Sequence, residues 1–144
     1  MRHEASSVIA TVDRLELVIP GEPIPNARAR RGRSGWYTPA ATTEYRERVR
    51  QTWMIAGRPS LGALPFAVSA QFYRAGRRVA DLDNLLKSVL DALNGLAWAD
   101  DAQAVCFAGI HRLEADEQGP RTVLTAWCST DTPEAAHMAE GRAT

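Results

Sequence analysis

An eleven-residue run with helical periodicity, bracketed by aspartates at both ends, constrains this chain more than any other feature. Residues 79–103 read VADLDNLLKSVLDALNGLAWADDAQ and hold five of the chain's eight aspartates and its single lysine. At about 100° per residue, Leu85, Leu86, Val89, Leu90 and Leu93 form one broad apolar stripe. Asn84, Lys87 and Asp91 fall within about 60° of one another on the opposite side. The spacing predicts a helix over 84–94, with Asp83 as its N-cap and Asn94-Gly95 as its stop. If the chain is extended before the helix, Asp81 and Asp83 point the same way.

The two acidic ends can meet. Such a helix carries the chain roughly 16 Å at 1.5 Å per residue, and residues 95–101 can return roughly 20 Å if extended. Asp81, Asp83, Asp100 and Asp101 would then share a small volume with Lys87. Close carboxylates raise one another's pKa unless a cation sits between them. Oxygen-only ligation suits a hard ion such as Mg²⁺, with Mn²⁺ as substitute. No nearby His or Cys offers a zinc-type set.

The rest of the chain reads as support. At 144 residues and 45% hydrophobic content it is long enough for one domain with its own core. Strands are expected at 15–19, 65–74, 104–113 and 121–128, and a second helix at 40–57 with Val49, Trp53 and Met54 inward. Arg46 and Arg50 make a basic pair on its outside. The turn Gln118-Gly119-Pro120 predicts that strand 121–128 pairs antiparallel with strand 104–113. The order β-α-β-α-β-β gives an α+β domain, a small mixed sheet with helices on one face. Residues 1–13 are expected to be loose and 129–144 frayed. With no run of 18 apolar residues and no signal-peptide pattern, a soluble cytoplasmic protein is expected. Cys106 and Cys128 are then reduced core residues. Trp98 and Trp127 are also assigned to the core, and His111 is read as an ordinary strand residue.

Net charge is zero, but its distribution is uneven. Residues 28–58 carry eight arginines against Glu44 and Glu47, while residues 99–117 carry five acids against Arg112. Arg28, Arg30, Arg31 and Arg33 lie in a Gly-containing loop that suits phosphate contacts. Trp36 and Tyr37, just after it, read as anchors to the core, with stacking on an exposed base as the other reading. A basic arm facing an acidic site fits a phosphate backbone held on one side and cut on the other.

D-L-D-N-x-x-K, a helix, then W-x-D-D-A-Q resembles the RusA family of Holliday-junction resolvases. Asp81, Asp83, Asn84, Lys87, Asp91, Asp100 and Asp101 stand at matching positions, seven residues in register over 21. Residues 26–43, NARARRGRSGWYTPAATT, resemble the arginine-rich loop and Y-T-P turn of phage members. Some relatives carry a basic residue directly before the first aspartate; Ala80 stands there, and Arg77 and Arg78 just upstream are the candidate DNA contacts. The resemblance implies a homodimer whose paired sites cut opposed strands of a four-way junction in recombination and repair. It further implies that Asp81, Asp83 and Asp101, supported by Asp100, hold one or two Mg²⁺ ions. Lys87 then stabilises charge on phosphorus or orients water, Asn84 hydrogen-bonds a ligand, and Asp91 locks Lys87 through an i,i+4 pair. Two rivals are a nucleotide-sugar transferase, since D-x-D occurs there too, and a non-catalytic branched-DNA-binding module. The short chain opposes the first, and the filled acidic positions oppose the second.

Overall fold

The structure is a computed structural model that describes residues 10–77 and 79–129. Most of the N-terminal segment and C-terminal tail expected to be loose, and Arg78, lie outside those residues.

The main sheet has four strands: β2 (Arg14–Pro20), β6 (Phe66–Arg74), β7 (Ala104–Glu114) and β8 (Arg121–Cys128), in the order β2-β8-β6-β7. Two minor pairs accompany it. Strand β1 (Ala10–Thr11) runs parallel to β5 (Pro59–Ser60), and β3 (Arg30–Gly32) pairs antiparallel with β4 (Gly35–Tyr37). Helices α1 (Ala40–Ile55) and α2 (Leu82–Leu93) complete the fold. This is the expected mixed α+β architecture.

Alternation in β2 buries Leu15, Leu17 and Ile19 and leaves the residues between them outside. Strand β6 contributes Phe66, Val68, Ala70 and Phe72, and β8 contributes Leu124 and Ala126. The helices close over this face with Tyr45, Val49 and Trp53 from α1 and the whole predicted stripe of α2. Burying each large apolar side chain stabilises by about 1.5–3 kcal/mol. The buried line on α1 runs Thr42, Tyr45, Val49, Trp53. Met54, expected inside, lies a further 100° round the helix and is exposed.

The predicted pairing of the last two strands is wrong. Strand β8 lies between β2 and β6, antiparallel to both, and among the described residues β7 pairs only with β6, in parallel. The turn does form, with the Gly119 N–H donating to the Asp116 carbonyl at 2.9 Å. It reverses the chain without deciding which strand lies alongside. Strand β8 alternates buried and half-buried residues, which suits a central position, whereas β7 is largely exposed and takes the edge. A parallel pair needs a crossover, and α2 supplies it between β6 and β7.

Edge placement also corrects the cysteines. Cys106 on β7 is exposed rather than in the core, Cys128 is half-buried, and both are free thiols. Trp98 is fully buried as expected, but Trp127 is only half-buried, with the Arg14 guanidinium 6.0 Å from its ring centre. Among the described residues no helix is long and apolar enough to cross a membrane.

Candidate active site

Helix α2 begins two residues earlier than its sequence suggests. Asp81, not Asp83, is the N-cap, and its carbonyl accepts the first helical bond, from Leu85 N–H at 3.0 Å. Asp81 has extended dihedrals and its side chain makes no capping bond. Asp83 sits in the first turn, where a negative charge favours the helix dipole. The two aspartates therefore do not share one face of a strand.

Asp83, Lys87 and Asp91 of α2 line a cleft of about 380 Å³. Asp101 and Ala102 close it from the turn after the helix, and Phe107 of β7 forms part of its wall. The predicted return of the chain thus brings Asp101 to Asp83 and Lys87. Asp81 and Asp100 are not in the lining. Asp100 is used locally: its Oδ1 accepts from Ala102 N–H at 2.9 Å, and Gln103 Oε1 accepts from Asp100 N–H at 2.7 Å. This reciprocal capping box stabilises the 3₁₀ turn Asp101–Gln103.

Asp101 is held by two partners. Its backbone N–H donates to Asn94 Oδ1 at 3.0 Å, and its Oδ1 accepts from Trp98 Nε1–H at 2.6 Å. Burial raises its pKa above the usual carboxylate value; the Trp98 bond opposes this, the charges of Asp91 and Asp100 add to it, and Lys87 lowers it. Phe107 carried no distinguishing signal in the sequence; Asn94 was legible only as part of the helix stop, and Trp98 and Gln103 only as letters of the W-x-D-D-A-Q motif, with Trp98 assigned to the core. Its N–H shows a second use only once the turn is seen.

Asp91 does not pair with Lys87. It meets Arg46 at 3.6 Å, and the same guanidinium donates to Asn26 Oδ1. Arg50 donates to the Ala92 carbonyl at 3.2 Å. The two arginines expected on the outside of α1 therefore tie α1 to α2, because their long side chains reach across the helix contact. Lys87 is exposed and makes no ion pair among the described residues. Asn84 anchors the segment between β2 and the arginine hairpin, its carbonyl accepting from Asn26 N–H at 2.8 Å. Among the described residues no three His, Cys, Asp or Glu side chains form a ready-made metal cage.

The basic loop is a hairpin. Strands β3 and β4 pair Arg30 with Tyr37 and Arg31 with Trp36, and Arg33-Ser34 makes the turn before Gly35, whose φ of +113° favours glycine. Arg28, Arg30, Arg31 and Arg33 are all exposed. So are the supposed anchors: Trp36 is 72% and Tyr37 50% exposed. A two-stranded ribbon outside the main sheet has no core to offer either ring. Arg77 is exposed and lines a separate basic cleft with Arg74 and Glu114. Arg112 of β7 donates to the Ala80 carbonyl at 2.5 Å, fixing the backbone just before Asp81.

A small α+β domain with a cleft lined by aspartates and a lysine, and with an exposed arginine hairpin, defines a class, a domain suited to handling phosphodiesters. Comparison with family models places it further. The chain belongs to the RusA endodeoxyribonuclease family, whose model matches residues 20–125, from the end of β2 well into β8. A comparison with curated proteins gives no match.

Proposed function

We propose that this chain is a divalent-cation-dependent endonuclease that resolves four-way DNA junctions as a homodimer, in recombination and repair. The observation that carries the reading is the meeting of Asp83, Lys87 and Asp101 in one cleft of a RusA-family domain. The donor chemistry fits a hard cation, since the cleft offers carboxylate oxygens and neither imidazole nor thiolate. Mg²⁺ is commonly held by one or two carboxylates together with substrate phosphate oxygens, so an open pair needs no closed protein cage. Asp83 and Asp101 would hold the ion, with Asp81 and Asp100 in support, and Mn²⁺ would substitute for Mg²⁺. Such an ion, when bound, lowers the pKa of a coordinated water and offsets charge on the scissile phosphate.

The protein's own groups do the rest. Lys87, with no ion pair among the described residues, would offer its ammonium where negative charge grows on the phosphoryl oxygens. Asn84, at the same end of α2, offers its amide to a phosphate. Asp91 is committed to Arg46 and keeps α1 docked on α2. The arginines of the hairpin, with Arg77 and Arg78, hold the backbone of the junction arms. Two copies related by a two-fold axis would present two clefts to two opposed strands.

A synthetic four-way junction, incubated with the protein and Mg²⁺ beside a linear duplex of the same sequence, tests the reading. Paired symmetrical nicks in the junction alone are expected, abolished by chelation. Equal cutting of both substrates would overturn junction specificity, and cutting undiminished by chelation would overturn the metal requirement.

A further inference from the structure

The turn that presents Asp101 is shaped by residues outside the acidic motif. Asn94 follows the last residue of α2 in an extended conformation and accepts the Asp101 N–H. Trp98 is 1% exposed and stacks on Phe66, with ring centres 4.4 Å apart and planes 24° apart. Stacking fixes the plane of the indole, and with it the direction of the N–H that reaches Asp101 Oδ1. Below the turn, Gln103 Nε2 donates to the carbonyls of Gly62 and Leu64 at 2.8 and 2.9 Å, so the 3₁₀ turn is tied to the loop before β6.

A buried indole needs some acceptor, and that need alone would account for one bond. It does not account for two. Asn94 and Trp98 both converge on Asp101, while neighbouring Asp100 receives neither and caps its own turn. Asp101 thus has its backbone and one carboxylate oxygen fixed. Its Oδ2 makes no hydrogen bond among the described residues, and that leaves one oxygen for a ligand in the cleft.

We propose that Asn94 and Trp98 are positioning residues for Asp101, Asn94 fixing its backbone N–H and Trp98 one carboxylate oxygen, so that the other oxygen is presented to a divalent cation. The inference rests on the reading of the cleft as a hard-cation site. Residues that orient a metal ligand in this way typically change metal affinity by about 10- to 100-fold when removed.

The experiment is calorimetric titration of the full chain with Mn²⁺, for wild type, Asn94→Ala, Trp98→Phe and a Trp127→Phe control, with Tm measured in metal-free buffer. Asn94 is exposed and its backbone cap bond to Leu90 remains in the alanine variant, so that variant is expected to fold. Trp98→Phe keeps a ring for Phe66 while removing the N–H. Both variants should bind Mn²⁺ about 10- to 100-fold more weakly, Trp127→Phe should bind as wild type does, and raising Mn²⁺ should restore cleavage by Asn94→Ala. Wild-type affinity in Asn94→Ala, or in a folded Trp98→Phe, would overturn the claim for that residue while leaving the metal site standing. Absence of Mn²⁺ binding by the wild type would overturn the metal site itself, and this inference with it.

Discussion

Lys87 is the only lysine among seventeen basic residues, and it lines the acidic cleft with no ion pair among the described residues. A group held there for structure would be expected to neutralise a carboxylate directly; an unpaired one is available to substrate. Lys87→Ala should therefore keep its fold and most of its junction affinity while losing about 10²- to 10³-fold in cleavage rate. Single-turnover cleavage with a parallel melting curve checks this, and a rate within threefold of wild type would remove Lys87 from the mechanism. Asp101 makes a different prediction. Its folded-state pKa is raised chiefly by burial, so its ionised form is disfavoured by folding. That penalty is absent below the ordinary carboxylate range, grows as pH rises through it, and is fully present near neutrality. Asp101→Asn in metal-free buffer should raise Tm at neutral pH, with the gain shrinking towards acid pH. A gain that is equal at both pH values would show that burial of charge is not its cause.

Elements differ in how well the sequence reveals them. The stripe of α2 was legible because five leucines and valines at helical spacing admit one solution, and all five are buried. Leu85→Ala, at the centre of that packing, should cost about 2–5 kcal/mol by chemical denaturation. The start of α2 was not legible, since Asp81 and Asp83 are equally good caps and the choice depends on a backbone bond. Nor was the neighbour of β8, because a turn signal is local and strand pairing is not. The hairpin lay hidden in a run rich in Arg and Gly, where no alternation marks strands of three residues. Its exposure strengthens its reading as a DNA arm. Arg30→Ala with Arg31→Ala should weaken binding whatever the sequence, and flatten the slope of log K against log salt by about two units. An unchanged slope would take the hairpin out of the interface.

At the scale of the whole molecule, charge is unevenly distributed along the chain. The exposed arginine hairpin precedes α1 and the acidic turn follows α2. Zero net charge conceals this arrangement, and the family match spans the elements that create it. The class of domain could be read from the chain because five of its aspartates fall in one short stretch; the division of labour within the cleft could not. Asp100 capping its own turn, Asp91 held by Arg46, and Trp98 gripping Asp101 all depend on contacts across the fold. The central claim is that Asp83 and Asp101 bind a cation that cutting needs and that DNA binding does not. Asp83→Asn keeps the shape and removes the charge, so it separates the two. On one four-way junction, a gel shift beside a cleavage time course in Mg²⁺ should show binding retained or tightened, because a carboxylate that repels phosphate is gone, and cleavage nearly abolished. Cleavage by Asp83→Asn at the wild-type rate would contradict the account.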